Sequence, residues 1–245
     1  MQAAPSTALV TGGARRIGAA CVRALVRRSI RVVLHYATSA SAAQALQQEL
    51  AHQGGEVHLL QGDLAEPEQT RSLLEQAETL LGGQPVTLLI NNAAIFERGS
   101  IRECSSRQWE RHLAINLTAP FLLTREFARR LPAEMSGQIV QIIDQHADRP
   151  RPGYAAYSAA KSALWTLTRQ AALELAPAIR VNAIGPGPIL PAPHDSPEAF
   201  ARIGAATPLG RAGHPDDIAS ALLFLLDNSF LTGTLIHVDG GEHLR

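Results

Sequence analysis

Short apolar runs alternate along the chain with longer segments in which apolar residues recur every three or four positions. Runs of four to six residues are typical of buried strands, and the longer periodic segments are typical of helices. The pattern predicts strands at 7–10, 31–35, 57–60, 86–90, 138–143, 179–184 and 235–238. It predicts helices at 17–26, 41–52, 67–81, 109–117, 121–131 and 154–176, and one more that begins at Pro215.

This alternation predicts an α/β fold: a doubly wound parallel β-sheet with helices on both faces, in a single domain over residues 1–245. The alternation of strands and helices is interrupted after the sixth predicted strand, where residues 186–215 hold seven of the fifteen prolines. Ligands of open α/β sheets bind beyond the carboxyl ends of strands. We therefore predict that 186–215 is a long irregular segment that forms a substrate lid; the alternative is a surface loop without a role.

Composition excludes several classes of protein. Lys plus Arg equals Asp plus Glu at 22 each, and aromatic residues are only 4%, so neither a basic field nor a stacking platform for nucleic acid is expected. The longest strongly apolar stretch, 221–226, is too short to cross a bilayer. Two widely separated cysteines and an N-terminus without a signal-peptide pattern predict a reduced, cytoplasmic location.

The sequence TGGARRIG at 11–18 joins the first strand to the first helix. Gly12 allows a tight turn and Gly18 allows close packing, so the helix N-terminus is predicted to hold a phosphate. Arg15 and Arg16 in the first helical turn each cost about 0.3–1 kcal/mol unless an anion lies beside them. We predict that a dinucleotide phosphate is that anion and that Arg16 also reaches a substrate. The alternative is two solvated arginines.

The segment after the second strand bears on which dinucleotide is bound. NAD-binding proteins place an acid about 20 residues beyond the glycines, but no Asp or Glu occurs from 18 to 48. An acid there would repel a 2′-phosphate, so its absence favours NADP(H). The predicted contacts are His35, Tyr36, Ala37, Thr38 and Ser39, with Arg15.

Polar residues also follow the third and fourth strands. Asp63, followed by Leu64, is predicted to accept from the adenine amino group; capping of the helix at Pro67 is equally compatible. The amides in the sequence NNAA at 91–94 are predicted to bridge strands or to contact the cofactor, the latter through Asn91 and Ala93, and a plain turn is the alternative.

The sharpest local signal is Tyr157 four residues before Lys161, which places both on one face of a helix. An ammonium and an oxidised nicotinamide favour phenolate, so we predict that they lower the pKa of Tyr157 and that the phenol serves as the proton donor in carbonyl or imine reduction. Tyr154 is two turns from Lys161 and is not predicted to be catalytic. Asp144 ends the fifth strand beside Tyr157, with Asp148 as a competitor.

Taken together these motifs resemble the short-chain dehydrogenase/reductase family over nearly the whole chain. The matching pieces are Thr11-Gly12, Asp63, NNAA at 91–94, Asn116, Tyr157 with Lys161, Val181-Asn182, Gly185-Pro186-Gly187 and Asp239-Gly240-Gly241. The resemblance implies a Rossmann fold, a nicotinamide cofactor and a homotetramer. It also places cofactor contacts at Ile17, Pro186, Gly187 and Ile189.

Two departures point to one branch of the family. Members commonly have Gly at the position of Arg16 and Ser at that of Asp144, whereas Arg and Asp there look like the pteridine and dihydromonapterin reductases. His35-Tyr36, Phe96 and the ending DGGEHLR are similar to that branch as well.

The branch implies NADPH-dependent reduction of a dihydropterin to a tetrahydropterin, with an oxidised pterin or dihydrofolate as further possible substrates. Arg16 would contact cofactor phosphate and pterin, and Phe96 would stack on the pterin. Tyr157 would relay the proton, Lys161 would hold the nicotinamide ribose, and Asp144 would hydrogen-bond within the relay. The alternatives are a general NADP(H)-dependent keto-reductase and a nucleotide-binding regulator without turnover. The nine histidines show no ligand spacing, so no metal is expected.

Overall fold

The computed structural model describes residues 5–147, 149–192 and 195–244. Seven strands form one parallel sheet in the order β3-β2-β1-β4-β5-β6-β7. Their bounds are β1 Thr7–Val10, β2 Arg31–Tyr36, β3 Val57–Gln61, β4 Leu88–Asn91, β5 Gly137–Ile142, β6 Ile179–Pro186 and β7 Leu235–Val238. The predicted doubly wound α/β class is confirmed.

Eight α-helices connect these strands within the described residues. They are α1 Arg16–Arg27, α2 Ala40–Ala51, α3 Pro67–Leu80, α4 Ser106–Leu113, α5 Ala119–Arg130, α6 Ala155–Leu175, α7 Pro197–Ala205 and α8 Pro215–Asp227. A π-helical turn, Ala114–Thr118, joins α4 to α5, and short 3₁₀ helices cover Gln145–Ala147 and Glu242–Leu244. Across the part of the chain that is described, no helix has the length and apolarity needed to traverse a bilayer.

The hydrophobic core lies in two layers, one on each face of the sheet. On one face α1, α2 and α8 contribute residues such as Leu25, Leu46 and Leu222. On the other face α3, α5 and α6 pack, and Phe127 is the largest fully buried side chain among the described residues. Covered on both sides, the central strands are buried at every position, which is why they are continuous apolar runs in the sequence.

Two predictions about local structure need correction. The segment 186–215 is not irregular throughout, because it contains α7; the Ser196 side chain accepts from the N–H of Ala199 at 3.1 Å and Pro197 stands in the first turn, both ordinary helix-start signals. The helices predicted at 109–117 and 121–131 are nearly continuous, since the π-turn carries the backbone from one to the next. A π-turn adds one residue to a helix without ending it.

Candidate active site

The predicted site residues follow the carboxyl ends of strands at one edge of the sheet. The strand order reverses between β1 and β4, and this edge beside the reversal is where open α/β sheets bind ligands. Chain segments after β1, β2, β3, β4, β5 and β6 all arrive there.

The turn between β1 and α1 has the backbone expected of a phosphate cradle. Gly12 has φ +61°, and a Cβ on it would lie 3.0 Å from Cα of Ala93. A Cβ on Gly18 would clash with the carbonyl oxygen of Gly12 and with Asn92, so Gly18 allows α1 to pack against this turn. No side chain caps the N-terminus of α1 and no acid stands in its first turn. Its N–H groups therefore suit an anionic ligand, such as a dinucleotide phosphate.

The two arginines of the turn are placed differently. Arg15 is exposed at the N-cap, whereas Arg16 donates from its guanidinium to the carbonyl oxygens of Leu190 at 3.2 Å and Pro191 at 3.0 Å. Backbone carbonyls of the 186–215 segment therefore hold the guanidinium of Arg16, and the contact of Arg16 with a dinucleotide phosphate stays a prediction. Arg16 also has φ +55°, a conformation that favours glycine and explains why glycine is common at this position.

His35 holds the turn between β1 and α1 through its side chain. The ring is buried; its Nδ1 accepts from the N–H of Gly12 at 3.3 Å, and its Nε2 lies 3.1 Å from the carbonyl oxygen of Gly62. Burial is the main reason that its pKa falls to about 4. The imidazole is neutral, donates through Nε2 and is fully used by the backbone, so the prediction that His35 binds cofactor is corrected to a role in holding the turn.

The other residues expected to contact an adenosine moiety have mixed surroundings. Ala37 and Thr38 are exposed beyond β2, with Tyr36 and Ser39 partly buried. Asp63 is exposed, and its Oδ1 accepts from the N–H of Ala65 at 2.9 Å. It does not cap α3, because Glu66 occupies the N-cap of that helix.

Several predicted contacts are possible only through the backbone. The Leu64 and Ile189 side chains are buried in the core, on opposite faces of the sheet. Pro186 is the buried last residue of β6, and a Cβ on Gly187 would meet Cα of Asp239. Ile17 is partly buried in the first turn of α1 and packs against the core.

Asn92 confirms the strand-bridging role that the NNAA sequence offered. Its Nδ2 donates to the carbonyl oxygens of Thr11 at 2.9 Å and Gly12 at 3.0 Å. In return Thr11 Oγ1 accepts from the N–H groups of Asn92 and Ala93, each at 3.0 Å. The ends of β1 and β4 are thereby fixed to each other. Asn91 is buried, and its amide contacts no hydrogen-bond partner among the described residues.

Asp144, Tyr157 and Lys161 come together as predicted. Tyr157 donates its hydroxyl hydrogen to Asp144 Oδ2 at 2.7 Å, and the N–H of His146 donates to Oδ1 of the same carboxylate at 2.8 Å. One helical turn further, Lys161 Nζ donates to the carbonyl oxygen of Ile142 at 2.8 Å and lies 5.7 Å from the centre of the Tyr157 ring. Asp148, the competitor for Asp144, lies outside the described residues.

The protonation of the pair differs from the prediction. Burial, followed by the charge and hydrogen bond of Asp144, raises the pKa of Tyr157 well above 10. The expected lowering by Lys161 is wrong for the polypeptide by itself, because the nearest charge to the phenol is a carboxylate. Burial also lowers the pKa of Lys161 to about 8, opposed by Asp144.

An aromatic cluster surrounds Tyr157. Phe96 meets Tyr157 edge-on, with ring centres 4.7 Å apart, and stacks on Tyr154 at 4.5 Å with an angle of 7°. His146 contacts the same three rings at 5.7–5.9 Å. The sequence predicted no catalytic role for Tyr154 and gave no signal for His146, although both lie close in sequence to the predicted residues Tyr157 and Asp144.

Asn116 is hydrogen-bonded to the backbone next to Phe96. In the π-turn its side chain accepts from the N–H of Ile95 and donates to the carbonyl of the same residue, both at 2.9 Å. The amide fixes the backbone immediately before Phe96.

A phosphate-type turn and a Tyr–Lys pair at the switch point of a parallel sheet define an α/β oxidoreductase. Comparison with known proteins agrees: a family model described as enoyl-(acyl carrier protein) reductase, adh_short_C2, matches residues 12–243. The chain belongs to the short-chain dehydrogenase/reductase family.

Curated relatives of similar identity carry different names. Galactitol 2-dehydrogenase of Rhizobium johnstonii is 35% identical, with 96% of this chain and 93% of the relative covered. The 3-oxoacyl-[acyl-carrier-protein] reductase of a Synechocystis species is 33% identical, with 96% and 95% covered. These names agree on oxidoreductases and differ in substrate.

Among solved structures, FolM alternative dihydrofolate reductase 1 of Brucella canis, in complex with NADP, is 37% identical with a TM-score of 0.94. The match covers 99% of this chain and 95% of that one. The Brucella suis protein of the same name, also with NADP, has 37% identity and a TM-score of 0.93, covering 98% and 95%.

Proposed function

We propose that this protein is an NADPH-dependent pteridine reductase that converts dihydropterins to tetrahydropterins, with oxidised pterins or dihydrofolate as further substrates. The observation that carries the proposal is the hydrogen bond from Tyr157 to Asp144. A carboxylate that accepts from the catalytic phenol can both take and return a proton, which suits a nitrogen heterocycle better than a serine would. The likeness to two alternative dihydrofolate reductases supports the same substrate class.

The residues at the carboxyl edge fit NADP(H). The uncapped N-terminus of α1 and the close approach at Gly12 and Gly18 leave room for a pyrophosphate. Arg15 and Thr38 are exposed near the predicted adenosine side, where no acid follows β2 to repel a 2′-phosphate. NADP or NADPH is present in three of the structural neighbours.

Bound NADPH supplies the hydride, and the chain supplies the proton. Because its pKa is raised well above 10, Tyr157 holds its proton at neutral pH until the substrate nitrogen becomes basic. The Asp144 carboxylate, held by the N–H of His146, orients the phenol. The proposed role of Lys161 is to hold the nicotinamide ribose and to balance the phenolate that proton transfer leaves.

A pterin is flat, with apolar faces and polar edges, and an aromatic stack with a few polar partners suits it. Phe96 supplies the aromatic face in this proposal, and Tyr157 and Asp144 supply polar partners. Because Tyr154 already stacks on Phe96, a pterin either extends that stack or replaces Tyr154 in it. Arg16, whose guanidinium donates to the carbonyls of residues 190 and 191, is the proposed contact to the pterin from the 186–215 segment.

The experiment that tests the function is an NADPH oxidation assay with dihydrobiopterin, dihydromonapterin, dihydrofolate and a panel of ketones. We expect turnover of at least one pterin and little with ketones. The second candidate, a general keto-reductase, is favoured by relatives named for alcohol and oxoacyl substrates. Turnover of ketones without any pterin would establish it instead, and binding of NADPH without any turnover would indicate a regulator.

We also propose a cytoplasmic homotetramer, as the family resemblance implies. Exposed apolar side chains on α8 and α6, Phe224 and Leu173, are compatible with faces that pack against other copies. Light scattering on the purified protein tests this assembly, and a mass of one chain would rule it out.

A further inference from the structure

Three potential metal ligands converge at the carboxyl end of β7. His237 belongs to that strand, Asp239 follows it, and His243 lies in the 3₁₀ helix Glu242–Leu244. One ligand atom from each residue lies within 4.8 Å of the others. The turn through Gly240 and Gly241, with φ +65° and +85°, folds the chain back and brings His243 over His237.

We propose that His237, Asp239 and His243 form a binding site for a divalent transition metal, with Zn²⁺ the best match. Two imidazole nitrogens and one carboxylate oxygen are ordinary zinc ligands, and water completes a tetrahedron. This departs from the expectation that the chain binds no metal. The separation H-x-D-x-x-x-H became meaningful only once the turn after β7 was known.

The backbone holds two of the ligands in place before any ion binds. Asp239 is buried; its Oδ1 accepts from the N–H of Gly241 at 2.9 Å, and its Oδ2 accepts from the N–H of His243 at 2.8 Å. His243 Nδ1 also lies 2.8 Å from Oδ2. Ligand atoms of a tetrahedral zinc site are separated by about 3 Å, so a metal can take the place of the proton shared by Nδ1 and Oδ2.

The third ligand lies beside this pair. The rings of His237 and His243 are nearly parallel, at 18°, with centres 4.2 Å apart. Because an imidazole lone pair lies in the ring plane, one of the two rings must rotate out of the stack for both nitrogens to reach an ion at about 2.0–2.1 Å, and the ligand atoms already lie within 4.8 Å of one another.

The site has an entry path from solvent. All three residues line a cavity of about 730 Å³ between β7, α8 and the segment before α8. Asp217 adds a carboxylate to the lining and Arg211 adds a cation. Asp144, Tyr157 and Lys161 are not among its described lining residues.

Zinc titration of the tag-free, full-length protein against a chromogenic chelator tests the proposal. We expect one Zn²⁺ per chain and a higher Tm in its presence, because a ligand of the folded state stabilises it. His237→Asn and His243→Asn should each weaken binding by about tenfold or more. His52→Asn, an exposed histidine at the end of α2, is the matched control and should bind as wild type.

His237→Asn is the deciding variant, because it leaves the Asp239–His243 pair intact and should fold normally by circular dichroism. Absence of saturable zinc binding by the wild type would overturn the proposal. Unchanged affinity in His237→Asn would do so equally. The readout is independent of pterin reduction and of the proposed function.

Discussion

The phenol of Tyr157 donates to a carboxylate of Asp144 only 2.7 Å away, while the backbone N–H of His146 fixes the second carboxylate oxygen. A hydroxyl at the position of Asp144 could orient the phenol but could not carry a negative charge. The carboxylate therefore does two things: it raises the pKa of Tyr157, and it offers a second proton-holding group next to the reaction.

Replacing Asp144 tests whether this charge matters for pterin chemistry. We expect Asp144→Ser to lower kcat for dihydropterin by about tenfold or more, since a positioned general acid–base group contributes at least that much. The Kd for NADPH, from cofactor fluorescence, should change little. Asp144→Asn is the matched variant of equal size, and it should lose activity as well. Equal rates in all three proteins would remove Asp144 from the mechanism.

The Phe96–Tyr154 stack predicts a separation between substrate and cofactor binding. Phe96→Leu should raise KM for dihydropterin several-fold, because a stacking pair contributes about 0.5–1.5 kcal/mol beyond its buried area. The Kd for NADPH should stay the same. Tyr154→Phe keeps the stack and loses the hydrogen bond that Arg98 Nε donates to the Tyr154 hydroxyl at 3.1 Å. That control should behave like wild type. A larger rise in KM for Tyr154→Phe than for Phe96→Leu would contradict the proposed stacking role of Phe96.

Arg15 predicts the preference between the two nicotinamide cofactors. It is exposed at the N-cap of α1, within a chain region that has no acid. Arg15→Ala should weaken NADPH binding by about tenfold, or about 1.4 kcal/mol, and affect NADH less. The difference should shrink in high salt. Arg27→Ala, an exposed arginine at the opposite end of the same helix, is the control. Equal losses for both cofactors would argue against contact with the 2′-phosphate.

Much of the fold followed from the sequence because its elements have local causes. Both faces of the sheet are covered, so each strand appears as an apolar run. The predicted bounds of the five inner strands, β2, β1, β4, β5 and β6, fell within a few residues of the observed ones. The Tyr157–Lys161 pair was also predictable, since a spacing of four on a helix fixes their relation. The start of α7 was overlooked although Ser196 and Pro197 signal it.

The remaining features depend on contacts between distant segments. No pattern near Arg16 indicates that carbonyls from residues 190 and 191, 174 and 175 positions away, accept from its guanidinium. The neutral, buried state of His35 likewise depends on Gly62 from another strand. The raised pKa of Tyr157 required knowing that Asp144, and not Lys161, is its hydrogen-bond partner.

Lys161 predicts a conflict between stability and activity. Burial lowers its pKa from 10.5 to about 8, so at pH 7 the buried charge costs about 3 kcal/mol. Lys161→Met removes that cost but leaves the carbonyl of Ile142 without its donor, a loss of about 1–3 kcal/mol. We expect a net gain of about 1 kcal/mol in the free energy of unfolding at pH 7, with turnover abolished.

The gain should depend on pH in a defined direction. Between pH 8 and 10.5 the unfolded wild type holds one more proton on Lys161 than the folded state, so wild-type stability rises with pH there. The advantage of Lys161→Met should therefore vanish by pH 10 in urea denaturation. If the stability advantage of Lys161→Met over wild type is larger at pH 10 than at pH 7, this account is wrong.

The lowered pKa of the buried His35 predicts how the free energy of unfolding falls at acid pH. Its pKa is about 4 in the folded protein and 6.5 in a free side chain, so the unfolded state binds the extra proton between these values. Stability that is complete above pH 6.5 is lost as the pH falls toward 4, by up to about 3 kcal/mol. His35→Gln keeps a donor and an acceptor for Gly62 and Gly12 but has no proton to gain.

We expect His35→Gln to be about 1 kcal/mol less stable than wild type at pH 7.5, because an amide fits the two backbone partners less well than the imidazole. The difference should narrow at pH 6 and disappear or reverse near pH 4.5, measured by urea denaturation at each pH. His52→Gln, an exposed histidine, controls for the loss of a ring and should follow the wild-type curve. If the His35→Gln and wild-type curves stay parallel over this range, the imidazole is not buried in its neutral form.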